Sequence, residues 1–438
     1  MDHGQGHAHE DVTIDRLVAG GEGLGRLSDG RVVFVPGVVP GDHVRVELTQ
    51  SKRDLARGVV ADILTPGPAR VEPPCSRVGA GCGGCDWQHL SISAQRAAKV
   101  AVVTDAFSRI ARMPQLTAHV RFGGTVGTAG NEGTVGNEGT VGNDANGTGW
   151  RTTVRAGVNR TGRAGFYRSG SHDVVPSGPC LVAHPVIAEV LDSATFAPGE
   201  EVVVRVGVAN RQLVVGSASP EAVKLRSVPA GWSAEVVHMP AAGGIGAVQE
   251  NINGADLRVS ISSFFQSGPQ AASLLASTVT DLMQPFGTPD VFVDLYGGVG
   301  LFAATAGRGA RERVVVESAA CSVSDARHNL GPDALVHRSA VEEWEPPRIV
   351  RRGSNVHAVA DPARAGLGRA GVAAVLRSKP AVFVLVSCDA ASGARDARML
   401  IDRGYELREA VVLDLFPHTS HVETVMQFVA TETTKGSE

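Results

Sequence analysis

The sequence predicts an α/β protein in three parts: a Rossmann-like, doubly wound sheet at the C-terminal end, an OB-like β-barrel at the N-terminus, and a small central β-rich domain carrying a cysteine cluster. Three observations predict it. From Phe264 onward, apolar strand-like runs alternate with helical stretches, the signature of an open α/β sheet. Residues 11–66 break into short alternating segments punctuated by Gly and Pro, the spacing of a small barrel. Between these regions, Cys75, Cys82, Cys85 and Cys180 are spaced for a metal site rather than for disulfides.

Composition bounds the rest. A chain of 438 residues is long for one core, so two or three domains are expected. Hydrophobic content of 43% and charged content of 20% are ordinary for a soluble protein. No apolar run approaches the ~18 residues of a membrane span. The opening MDHGQGHAHE has neither the basic start nor the apolar stretch of a secretion signal. A cytoplasmic monomer without membrane contact is expected. A net charge of −4 gives no sign of a polyanion partner, but the charge is unevenly spread. Arg151, Arg155, Arg160, Arg163 and Arg168 fall together with no acidic residue among them. They form either a phosphate-holding patch or a solvated strand face.

In chain order, residues 1–10 read as a solvated tail and 11–66 as the barrel, closed by the prolines Pro66, Pro68, Pro73 and Pro74. The central domain spans 67–255. It includes a helical stretch, 91–112, that can pack on the C-terminal domain, and a low-complexity insertion, 123–149, with NEGTVG in tandem. Residues 256–438 hold the doubly wound sheet, with strands at 291–295, 313–317, 334–338, 356–360, 382–387, 409–415 and 424–430. A short connection joins the last two as an antiparallel hairpin.

Chemistry-bearing residues gather at the carboxyl ends of these strands, where open α/β sheets bind ligands. VFVDLYGGVGLFAATAG is a strand, a glycine turn and a helix start, in which Gly297, Gly298 and Gly300 let backbone approach a ligand. Asp294 ends the first strand and Glu317 the next, a placement suited to ribose hydroxyls. The loop lacks the Lys or Ser/Thr of a phosphate site, which fits an adenosyl cofactor; a nicotinamide or flavin is the competitor. VHAVADPARAGL ends a strand on Asp361, and VFVLVSCDAASGARD ends one on Cys388. LDLFPHTSHVETVMQF places His418, His421 and Glu423 in the loop before the last strand. Cys388 is a candidate nucleophile and Glu423 a candidate base, the alternative for Cys388 being simple packing.

Taken together, these segments, with CGGCDWQHL, GSHDVVPSGPC and FFQSGPQ, resemble the RNA uracil-5-methyltransferase family over nearly the whole chain. The resemblance implies a class I methyltransferase domain using S-adenosylmethionine, preceded by a TRAM-type barrel. It implies that Cys75, Cys82, Cys85 and Cys180 hold a [4Fe–4S] cluster, although spacing alone serves zinc nearly as well. Gln266, Tyr296, Glu317 and Asp361 match its cofactor-contacting positions, Cys388 its nucleophile and Glu423 its proton acceptor. The implied substrate is a uridine in tRNA or 23S rRNA, methylated at C5 through a covalent Cys388–C6 adduct. Cys321 matches nothing and reads as a packed thiol.

The chain departs from the pattern in two places. Ala363 stands where a second proline is usual, and Asp389–Ala390 where Asn-Pro is usual. Asp389 is expected to raise the Cys388 thiol pKa if the two are close. Three rivals remain: a cytosine-5 methyltransferase, which usually carries Pro rather than Ser387 before its cysteine; an adenine amino-methyltransferase, which would need an aromatic where Arg364 stands; and a non-catalytic RNA-binding protein with a decayed methyltransferase fold.

Overall fold

Alternation in the first strands closes a barrel. In His9–Leu17 and His43–Ser51, Val12, Ile14, Val44 and Val46 point into a small apolar core. With Gly23–Arg26, Val32–Val35 and Leu55–Thr65 these strands form a closed five-stranded barrel, with no free edge to template pairing. The computed structural model describes residues 9–126, 146–352 and 355–431. Most of the tail expected at 1–10, and positions 127–145 of the insertion expected at 123–149, lie outside the described residues.

The C-terminal sheet has eight strands, one more than the sequence suggested. Its order runs Ala334–Arg338, Glu312–Glu317, Val291–Leu295, Val356–Ala360, Val382–Ser387, Glu423–Ala430, Tyr405–Asp414 and Val120–Thr125. The first five are mutually parallel, and Glu423–Ala430 runs antiparallel to both of its neighbours. Such strands are buried on both faces, which is why Val291–Leu295, Val356–Ala360 and Val382–Ser387 read as mostly apolar runs, interrupted by the buried Asp294 and His357. The eighth strand corrects the sequence reading. Val120–Thr125, given there partly to the central domain and partly to the insertion, pairs in parallel with Tyr405–Asp414 at the sheet edge. Val126 is likewise buried, so the insertion begins later than its composition suggests.

Helix Ile92–Arg109 belongs to this same body. Val102, Val103, Ala106 and Phe107 pack into one core with Val372, Ala394 and Leu400 of the helices flanking the sheet. The fully buried Lys99 adds an ion pair to Asp414 at 2.5 Å and a hydrogen bond to the Phe416 carbonyl at 3.0 Å.

The middle of the chain forms a six-stranded sheet in the order Ser233–His238, Gln212–Ser217, Glu201–Gly207, Thr153–Val158, Ala164–Tyr167, Val174–Pro176, covered by helix Pro185–Ser193. A separate hairpin, Ala247–Ile252 with Ala255–Ser260, packs Ile252 and Leu257 against helix Pro269–Met283 of the C-terminal region.

Candidate active site

Sheet order dictates where the site lies. From Val291–Leu295 the chain winds outward through Glu312–Glu317 to Ala334–Arg338, then returns to the other side at Val356–Ala360. The crevice therefore opens between the carboxyl ends of Val291–Leu295 and Val356–Ala360, which lead directly into Tyr296 and Asp361.

On the first side the turn is tight. Gly300 has φ 87°, a left-handed conformation that favours glycine. A Cβ on Gly297 would sit 2.6 Å from Val315 and 3.0 Å from the Asp294 carboxyl. Tyr296 also takes a positive φ of 56°, which is strained for a bulky residue and here sits in a cleft. Its hydroxyl donates to Glu342 Oε1 at 2.6 Å. Glu317 closes the turn: its carboxylate accepts from the Gly298 N–H at 3.0 Å and the Ala319 N–H at 2.7 Å. Asp294 lies beneath, fully buried. One oxygen accepts from the Ala303 N–H at 3.0 Å and the other has no partner. Burial pushes its pKa up to about 8.

On the second side, strand pairing brings the two reactive candidates together. Ser387 pairs with Thr424 and Leu413 with Glu423, so Cys388, the next residue after its strand, comes up opposite Glu423. Glu423 is the first residue of the last strand rather than a loop residue, as read from sequence. It is 4% exposed, its Oε1 has no hydrogen-bond partner, and burial and then Asp361 push its carboxyl well above the usual range. Asp361 is itself raised to about 6 by burial, against the pull of a 3.0 Å hydrogen bond from Gln266 Nε2. Burial, then Glu423 and Asp361, push the Cys388 thiol up to about 11, while Arg364 pulls it down.

The expected part played by Asp389 is not found. Its carboxylate caps helix Ala390–Ile401, accepting from the Ser392 N–H at 2.7 Å, and the anionic groups that raise Cys388 are Glu423 and Asp361. Both histidines of the preceding loop are committed elsewhere. His418 Nε2 contacts the Asn146 carbonyl at 2.9 Å, and His421 stands 3.0 Å from Arg364 Nη2. Arg364, used in the sequence reading only to reject a rival, is thus the residue that reading missed. The available signal was a cation three positions beyond Asp361 in the same loop.

Three of the five arginines in the arginine-rich stretch have partners within the fold. Arg163 donates to the Ser193 and Ala194 carbonyls at the end of a helix, Arg155 pairs with Glu201 at 3.6 Å, and Arg151 lies over the Trp150 ring at 4.8 Å.

Cys75, Cys82, Cys85 and Cys180 do meet: with Gln88, Phe166 and Ser177 they line one recess. Burial pushes the Cys85 thiol up to about 12. Among the described residues, no three His, Cys, Asp or Glu side chains converge as they would on a single ion. Cys321 is apart from this group, accepting a hydrogen bond from Ser263 Oγ at 3.1 Å.

The site thus sets a cysteine thiol and a buried carboxyl beside a glycine-turned crevice, on an α/β sheet preceded by a barrel. Comparison with known proteins defines the class. Residues 9–61 match the TRAM domain. An uncharacterized RNA methyltransferase of Streptomyces coelicolor is 33% identical over 434 residues, covering 95% of this chain and 91% of that protein. One from Corynebacterium glutamicum is 31% identical over 438 residues, covering 95% and 96%. The chain belongs to this RNA methyltransferase family. Its fold is that of the Pyrococcus abyssi tRNA (uracil-54, C5)-methyltransferase, solved with S-adenosyl-L-homocysteine, at TM-score 0.67 and 23% identity over 96% of this chain and 99% of that one. Among the described residues, no helix is long and apolar enough to cross a membrane.

Proposed function

We propose that the chain methylates C5 of a uridine in RNA, with Cys388 as nucleophile and Glu423 as proton acceptor. The observation that carries this reading is the pairing of Cys388 opposite a buried Glu423 whose Oε1 has no partner. A buried carboxyl left half-satisfied is costly unless something else completes it. The family, the TRAM domain and a fold shared with a tRNA uracil-C5 methyltransferase support an RNA substrate.

Uracil C5 is too weak a nucleophile to take a methyl group unaided. The Cys388 thiolate adds to C6, and the C5=C6 electron pair moves onto C5 and O4 as an enolate. S-adenosylmethionine, when bound, supplies the electrophilic methyl that C5 then accepts. Glu317, Tyr296, Gln266 and Asp361 would hold it, and the unpartnered Asp294 oxygen beneath the glycine turn fits a site that a polar ligand completes. Glu423 next removes the C5 proton. The C5=C6 bond re-forms as the S–C6 bond breaks and releases the thiolate. Once ionised, Glu423 is a stronger base than an exposed carboxylate, because burial and Asp361 raise its pKa. The target base is reached only in a single strand or flipped out of its stack.

A paired substitution tests this reading. Cys388→Ala is expected to form neither covalent complex nor product. Glu423→Gln keeps the nucleophile but loses the base, so the reaction stops with Cys388 bonded to the methylated uracil. That species should appear as a slow band on a denaturing gel, carrying both RNA and labelled methyl. General-base removal is worth about 10²–10⁴-fold, so slow leakage to product is compatible with the scheme. Wild-type turnover by Glu423→Gln would remove Glu423 from its role, and product from Cys388→Ala would overturn the mechanism. Mapping 5-methyluridine by mass spectrometry in cells with and without the gene would then assign a tRNA or 23S rRNA target.

The cysteine recess is proposed to hold a [4Fe–4S] cluster. Four sulfurs around one recess are a donor set that serves a cluster or a single zinc ion, and the family resemblance favours the cluster. Bound there, the cluster would tie Cys180 to the segment carrying Cys75, Cys82 and Cys85. Anaerobically purified protein is expected to carry iron and sulfide at about four each per chain. Stoichiometric zinc without iron would overturn this assignment.

A further inference from the structure

Cys388 has an electrostatic problem that the scheme above does not solve. A thiol must ionise to attack, and this one sits among carboxyls that oppose ionisation. The N-terminus of the helix that follows would ordinarily help, but Asp389 already occupies it as the cap. We propose that Arg364 is the positioning residue that makes Cys388 reactive, its guanidinium offsetting the carboxyls around the sulfur. The proposal rests on the reading of Cys388 as a nucleophile.

The geometry fixes Arg364 from two directions. Its backbone carbonyl accepts a 2.9 Å hydrogen bond from Ser392 Oγ, on the first turn of the helix that begins just after Cys388. Its Nη2 lies 3.0 and 3.1 Å from the ring nitrogens of His421, two residues before Glu423. The arginine is therefore tied both to the helix that follows Cys388 and to the loop that leads into Glu423. Arg364 can only donate, so His421 must be neutral to accept, and desolvation and then Arg364 itself hold the His421 pKa below the ordinary value.

Each element packed around the sulfur supplies a named group. Glu423 comes from the last strand and Asp361 from the end of Val356–Ala360. Asp389 comes from the helix cap, and His421 with Arg364 from the two flanking loops. Arg364 is the cation that favours the thiolate, and Glu423 and Asp361 are the anions that oppose it.

Alkylation of Cys388 by iodoacetamide reads this directly. The sulfur–carbon bond forms, iodide leaves and the thiol proton passes to buffer. Full-length protein is treated across the neutral-to-alkaline range, and labelling is followed at each cysteine by peptide mass spectrometry. Arg364→Gln is expected to slow Cys388 by about tenfold below the midpoint of its pH profile and to move that midpoint upward, one decade of rate for each pH step. Arg364→Lys keeps the charge and should retain most of the rate. His421→Ala, which frees the guanidinium, should fall between them. Arg364 is exposed, so these substitutions leave the core intact, and an unchanged rate at Cys321 in the same digest verifies this. A wild-type profile in Arg364→Gln would overturn the proposal, as would equal slowing by Gln and Lys. The assay needs neither RNA nor methyl donor. A chain that labels as expected but never methylates would keep this inference and lose the proposed function.

Discussion

Asp294 shows how one buried side chain can tax stability to serve a cleft. Its carboxyl is fully buried with one oxygen unpartnered, and its pKa rises to about 8 from an unfolded value near 3.8. The folded state therefore holds this proton more tightly than the unfolded state does. Its contribution is complete below the unfolded pKa and is lost as pH rises toward about 8. Asp294→Asn keeps the acceptor for Ala303 but cannot ionise. In urea titrations without ligand, the variant is expected to lose less stability from mildly acidic to mildly alkaline pH than the parent does; parallel losses would show that Asp294 is not protonated in the fold. At this scale the sequence was informative where a residue ended a strand, because strand ends are visible as the limit of an apolar run. Cys388, Asp361, Glu317 and Asp294 were found that way. It was uninformative about what each residue touches. Asp389 looked like a neighbouring charge and is a helix cap, and Arg364 looked incidental and faces His421.

Elements were legible in proportion to how periodic they are. The strands Val291–Leu295, Val356–Ala360 and Val382–Ser387 fall on their expected limits, since doubly buried strands leave mostly apolar runs, and the part-exposed edge strand Ala334–Arg338 does so too. Val120–Thr125 was missed because VRFGGT has two glycines and only two apolar residues, and its place in the sheet comes from pairing rather than patterning. Gly123 is needed there, since a Cβ would come 2.1 Å from Val411. The buried Lys99–Asp414 pair was equally invisible, its partners lying 315 residues apart. It fastens helix Ile92–Arg109 to the strand that feeds the His418–His421 loop, and breaking one side would leave a buried charge uncompensated.

At the scale of the molecule, the three bodies meet at the segment that follows Cys85. Asp86 accepts from the Ser420 N–H at 2.8 Å, and the Trp87 N–H donates to the His418 carbonyl at 3.0 Å. The Trp87 indole donates to the Gly21 carbonyl of the barrel at 3.1 Å. Gly21, at φ 87°, lies so close that a Cβ would come 2.6 Å from Asp86 and 2.8 Å from Ser420. One short segment thus joins barrel, cysteine recess and catalytic loop, and Trp87, 1% exposed among Leu17, Val39 and Leu90, is its anchor. Trp87→Ala removes both the packing and the indole donor and is expected to cost about 3–5 kcal/mol. Trp87→Phe keeps most of the packing but strands the Gly21 carbonyl, at about 1–3 kcal/mol. Because the lost contacts lie between bodies rather than within one, the damage should fall on their coupling. Calorimetry of Trp87→Ala is expected to show the barrel unfolding ahead of the catalytic sheet, while Trp87→Phe unfolds closer to the parent. A single transition moved down intact in Trp87→Ala would mean that the barrel and sheet are held together by other contacts.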